Sequence, residues 1–185
     1  MRKLLIGITV TTILFCLFLI YNHKQLPTKD DVYKITGNWS PKTKEVYLVK
    51  KIDDDWLTIF RNKQFILVGR LEQNWLGFWQ LQDDIGREGS LVSVYYPPSR
   101  QDEEFTWSGA GTEEGAYYFG QIINPDIKKI QVVTKKNSFE NALIMSAEGT
   151  RFFFIKSEEE LVMPVNIKGF SKNGKLIYSS FKQVN

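Results

Sequence analysis

The chain has 185 residues, 24 Lys and Arg against 21 Asp and Glu, one cysteine and one histidine. Cys16 lies in an apolar N-terminal run and His23 just past it, so the 162 residues from Lys24 to Asn185 contain neither. That excludes Ser-His-Asp and Cys-His nucleophiles, His- or Cys-ligated zinc, disulfides and CxxC redox chemistry from this part of the chain.

Residues 4–21, LLIGITVTTILFCLFLIY, run for 18 residues without a charge. A helix of that length spans roughly 27 Å, close to the ~30 Å hydrocarbon core of a bilayer. Arg2 and Lys3 precede it, which favours a cytoplasmic N-terminus, while Lys24 and Lys29 on the far flank moderate the bias. A cleaved signal peptide has a shorter apolar core and small residues at its exit. The exit here is Leu17-Phe18-Leu19-Ile20-Tyr21-Asn22-His23. Cys16 follows Phe15, not the small residue expected before a lipidated cysteine, and reads as a small apolar side chain in the helix. Residues 1–23 are therefore expected to be a short cytoplasmic tail and an uncleaved signal-anchor in the cell membrane, with the C-terminal domain extracellular. A cysteine-free ectodomain suits a Gram-positive bacterial envelope better than a small eukaryotic secreted domain.

Residues 24–30 read as a polar tether. Strand signals dominate beyond it: residues 45–50, 56–60, 65–71, 77–81 and 91–96, ending at Pro97-Pro98, which cannot continue a ladder. Residues 97–116, PPSRQDEEFTWSGAGTEEGA, break the pattern and read as an acidic, Gly- and Pro-rich connecting loop. Strands resume at 117–123, 127–134, 142–147, 151–156, 163–170 and 175–181. Turn signals separate them at Asn124-Pro125-Asp126, Glu148-Gly149 and Asn173-Gly174. Helical periodicity is weak outside the anchor, with a turn or two expected at 30–36 and 157–161. The fold class is mainly β: an antiparallel β-rich ectodomain, either one sandwich or two small modules at 31–96 and 117–185, with α+β as the alternative.

Charge is uneven. Residues 27–82 carry net +2, 83–126 net −7, and 127–185 net +5. No stretch interleaves basic residues with aromatics, so nucleic acid is not expected as a partner.

Asp53-Asp54-Asp55 lacks the alternate ligand spacing and glycine of a calcium loop, and reads as a solvated hairpin turn. Asp83/Asp84, Glu103/Glu104 and Glu113/Glu114 offer acid pairs for glycoside hydrolysis, although a chain this rich in acids offers such pairs anyway. Phe105 and Trp107, with Asp102, Glu103 and Glu104, are the candidate interaction surface for a cationic partner. The competing reading has the two aromatics fold back to cap a β module. Trp75 and Trp79, in Asn74-Trp75-Leu76-Gly77-Phe78-Trp79, would share a strand face as core or as a sugar platform. Lys128, Lys129, Lys135 and Lys136 would attract anionic polymer or lipid headgroups, or keep a sheet edge soluble.

The lone anchor, the NWLGFW segment, YYFGQIINPDIKKIQVVT, GTRFFFI and IKGFSKNGKLIY together resemble small membrane-anchored envelope proteins of Bacillus-like Firmicutes. The resemblance covers most of residues 70–181 and rests on packing patterns. It implies an envelope location and a β-rich module, and brings with it no activity and no functional residue.

The expected function is a single-pass anchored protein whose ectodomain binds or senses without catalysis. Its partner would be another envelope protein or a wall polymer, and no cofactor or metal is called for. The alternatives are a carboxylate-based hydrolase of wall glycan and a regulatory subunit of a membrane complex. In the last case Gly7, Thr9, Thr11 and Thr12 would form a helix contact.

Overall fold

The computed structural model describes residues 2–82, 90–99, 103–112, 115–139 and 142–181. Helix α1, Arg2–His23, has no buried residue and is long and apolar enough to cross a membrane. Thr9, Thr11 and Thr12 donate their hydroxyl protons to the carbonyls of Leu5, Gly7 and Ile8, each at 3.0 Å. Their polar hydrogens are thus satisfied within the helix, as hydrocarbon surroundings require.

Helix α2, Lys29–Ile35, begins inside the stretch expected to be a tether. The Thr28 hydroxyl accepts from the Asp31 N–H while the Asp31 carboxylate accepts from the Thr28 N–H, a complete capping box. Val32 is fully buried, and the Val46 N–H donates to the Tyr33 hydroxyl at 3.2 Å, which seats the helix on the first sheet.

Among the described residues, three antiparallel sheets make up the rest. In the first, β1 (Glu45–Ile52), β2 (Asp55–Arg61), β3 (Phe65–Gln73) and β4 (Trp79–Leu81) lie in sequence order, and β5 (Ser90–Tyr95) also pairs with β3. In the second, β6 (Phe105–Thr112), β7 (Gly115–Ile122), β10 (Leu143–Ala147) and β11 (Thr150–Ser157) run in the order β10-β11-β7-β6. In the third, β8 (Lys129–Val133), β9 (Ser138–Phe139), β12 (Asn166–Phe170) and β13 (Leu176–Ser179) run in the order β13-β12-β8-β9. Glu148 and Gly149, both at positive φ, close the β10–β11 hairpin, and Gly174 turns β12 into β13.

The second sheet lies in the middle, and side-chain alternation explains how. Tyr117, Phe119, Phe152 and Phe154 point to one face, where they pack with Tyr47, Leu57, Ile59, Ile66 and Val68 of the first sheet. Tyr118, Ile122, Phe153 and Ile155 point to the other, where they meet Ile130, Val132 and Ile167 of the third. The outer face of the first sheet is covered by α2 and by Trp39, Trp56 and Trp79, through Val46, Phe60, Leu67 and Leu71. The layers therefore run helix, sheet, sheet, sheet. A mainly β domain follows one apolar helix, as the sequence implies. The boundary expected near residue 97 separates sheets but not cores, because the first cluster draws side chains from both sides of it.

Residues 105–112 depart from the sequence reading. They form β6, paired along its whole length with β7 from Phe105↔Ile122 to Thr112↔Gly115, so the expected 97–116 loop contains a full strand. Gly109 and Gly111 mask its pattern, and Leu161 packs over both: a Cβ on Gly111 would sit a tight 3.1 Å from the Leu161 Cβ, and one on Gly109 would touch a Leu161 methyl at 3.4 Å. Leu161 fills the space that side chains would otherwise occupy, and residues 157–161, read as a helical turn, form none. The strand expected over 163–170 begins only at Asn166.

Phe152, with no exposed surface, lies 5.0 Å from the Tyr47 ring and 5.8 Å from the Phe119 ring, at the centre of the inter-sheet contact. Phe152→Ala should lower unfolding stability by about 3–5 kcal/mol. A fall in the urea midpoint with an unchanged slope is the expected result.

Candidate functional site

The predicted contact surface turns inward. Phe105 is 3% exposed, with its ring edge-on to Tyr178 at 4.1 Å and to Phe153 at 6.1 Å. It therefore belongs to the core between the second and third sheets, and the expectation that it meets a partner is corrected. Trp107, two residues on and on the same strand face, packs half-buried against that core. The Glu104 carbonyl accepts from the Ile123 N–H at 3.0 Å and the Asn124 N–H at 2.9 Å, and its carboxylate accepts from the Asn124 amide. Glu103 is half-buried beside Tyr178. Burial pushes the Tyr178 hydroxyl above the usual tyrosine value, and the Glu103 and Glu104 charges push it further. Glu104 fastens the start of β6 to the β7–β8 turn, and the Phe105 ring fastens it to β13. Asp102 lies outside the described residues, as do Asp83, Asp84, Glu113 and Glu114 of the hydrolase alternative.

The aspartate run is split by function. Asp53 and Asp54 form the β1–β2 turn, Asp53 at φ 52°, as expected. Asp55 does something the sequence did not suggest. Its carboxylate takes a 2.8 Å hydrogen bond from the Lys156 ammonium of the second sheet and lies 3.8 Å from the guanidinium of Arg70, which is 8% exposed. Three charges from distant parts of the chain thus bridge the first two sheets. Beside them a cleft of about 520 Å³ is lined by Lys50, Lys51, Asp53, Leu143, Phe154 and Lys156.

A second cleft, of about 470 Å³, opens along the third sheet between the β7–β8 connection and the β12–β13 hairpin. Lys128, Lys172 and Lys175 line it with Asp126, Ser171 and Asn173, over Leu176 and Ile177. None of the three lysines joins an ion pair among the described residues. The Ser171 hydroxyl accepts from the Lys175 N–H at 3.1 Å and its carbonyl from the Gly174 N–H at 3.0 Å, so the hairpin that carries two of the lysines is itself braced. The sequence marked Lys128 but missed Lys172 and Lys175, whose only signal was their place on either side of the Asn-Gly turn.

The NWLGFW segment is also rearranged. Asn74 accepts at Oδ1 from the Leu76 and Phe78 N–H groups, both at 3.0 Å, and Gly77 takes φ +80°. An Asx turn results. It ends the strand face that Trp75 and Trp79 were expected to share: Trp79 packs half-buried on Trp56, and Trp75 is left 73% exposed.

Among the described residues, no group of three or more His, Cys, Asp or Glu is placed to hold a metal ion. No family model, curated protein or solved structure matches this chain.

Lys156 supplies a pH test of the inter-sheet bridge. Its hydrogen bond to Asp55 raises the ammonium above the ordinary lysine value, against the opposing effect of burial. A raised folded-state value means that the stabilisation is complete below the unfolded value of 10.5 and is lost as pH climbs through the higher folded one. Lys156→Met should therefore flatten the fall in melting temperature above about pH 10.5 while leaving its shape near neutrality unchanged.

Proposed function

We propose that this is a single-pass membrane protein with its N-terminus in the cytoplasm, whose extracytoplasmic ectodomain binds an anionic envelope polymer without catalysing a reaction. The observation that carries the reading is the cleft on the third sheet, where three lysines with no ion-pair partner among the described residues line an apolar floor beside one carboxylate. Phosphate- or carboxylate-bearing chains suit such a surface, because clustered cations raise the local concentration of a polyanion. The net +5 of residues 127–185 supports the same choice. The +2 of Arg2 and Lys3 before an 18-residue uncharged run supports the orientation. A non-catalytic role is favoured by the fate of Glu104, whose carbonyl and carboxylate are engaged in holding β6 to the β7–β8 turn.

The test uses the full chain in detergent with polyglycerol phosphate as the probe. The triple variant Lys128→Gln/Lys172→Gln/Lys175→Gln should bind about tenfold more weakly at low salt, and wild-type binding should weaken as ionic strength rises. Equal binding by the triple variant would remove this surface from consideration. Release of reducing ends from wall glycan by the wild-type protein would instead establish the hydrolase.

A further inference from the structure

The β3–β4 turn sits against the outer end of the membrane helix. The Asn22 amide donates to the Leu76 carbonyl at 3.1 Å, and the Gln73 amide donates to the Asn22 carbonyl at 3.0 Å. The Trp79 indole N–H donates to the Gln25 carbonyl at 3.2 Å. Gly77 fits only because it lacks a side chain: a Cβ there would lie 2.7 Å from the Asn22 Cβ and 2.9 Å from the His23 backbone nitrogen. The segment read as a polar tether is bonded to the domain it carries, through the Gln25 carbonyl.

This contact sets the depth of the turn. The Phe78 ring lies 6.1 Å from the ring of Phe18, which belongs to the uncharged run of α1. Phe18 precedes the helix end at His23 by five residues, or roughly 7.5 Å of helix rise. A side chain touching Phe18 is therefore level with the last apolar turn. Around it, Phe78 is 50% exposed, Trp75 73%, Tyr21 65% and Leu26 67%. Large apolar side chains left bare at the height where a helix leaves the bilayer match the aromatic belt of membrane proteins, in which tryptophan and tyrosine rings occupy the headgroup level.

We infer that the Trp75–Phe78 turn is a second membrane contact, which enters the outer interface of the bilayer beside α1 and holds the ectodomain at a fixed orientation on the lipid surface. The inference rests on α1 spanning the membrane. It commits to lipid as the occupant because Phe78 is in contact with the apolar part of the helix itself.

All five tryptophans, at positions 39, 56, 75, 79 and 107, lie outside α1, so their emission reports on the ectodomain. The full chain is reconstituted into phosphatidylcholine vesicles, with or without lipid brominated near the headgroup end of its acyl chains. Flotation after an alkaline carbonate wash checks insertion independently. Bromolipid should quench the wild-type emission, and Trp75→Phe should cut the quenched fraction about twofold or more. Gly77→Ala, which pushes the turn off the helix end, should reduce quenching with Trp75 still present. If the vesicles float with the protein but Trp75→Phe leaves quenching unchanged, the membrane contact is refuted and the anchor stands. If wild-type protein washes off the vesicles, the anchor reading fails and the inference falls with it.

Discussion

The architecture depends on a sheet that is apolar on both faces. An antiparallel sheet in a small domain usually buries one face and wets the other, which shows in the sequence as alternation. Here β7 and β11 bury both, and Tyr117-Tyr118-Phe119 and Phe152-Phe153-Phe154 are continuous aromatic runs for that reason. Successive rings point to opposite neighbours. Phe152 and Phe154 pack toward the first sheet while Phe153, between them, packs toward the third. With both faces of the middle layer apolar, water must be excluded from both, and the outer sheets have no alternative seat that covers as much surface.

That arrangement accounts for the absence of disulfides without recourse to a separate staple. Rings from β7 and β11 supply a large apolar area in each of two interfaces, so a cysteine-free domain of this size still has a sizeable core. Charge plays a narrower part. Asp55, Arg70 and Lys156 bridge two sheets at the edge of the first interface, where a shift of either sheet would separate opposite charges. They oppose sliding, while the rings drive association.

The surface features follow from the same layering. The middle sheet is covered, so the third-sheet cleft and the exposed turns lie on the outer layers and their connections. The third sheet presents its lysine cleft at the β12–β13 hairpin. The first sheet presents the Asn74–Phe78 turn to α1. One chain thus carries a polar, cationic surface on one outer layer and an apolar one beside the apolar helix α1 on the other.

How much of this the sequence showed depended on whether the signal was local. The apolar helix, the β1–β2 turn, the Asn173-Gly174 hairpin and most strands were legible because each is set by a run or a turn of a few residues. The sequence by itself determined a cysteine- and histidine-free β domain behind one apolar helix, and the charge asymmetry of its segments. It did not reveal β6, because Gly109 and Gly111 stand where Leu161, some fifty residues away, supplies the packing. Nor did it separate Asp55 from its solvated neighbours, since Arg70 reaches it from the adjacent strand and Lys156 only from the second sheet. Phe105 looked like an exposed contact for the same reason: the residues that bury it, Phe153 and Tyr178, are brought there by pairings between distant strands. Whether an aromatic lies in the core or at the surface is decided by what packs opposite it, and only the tertiary structure supplies that neighbour.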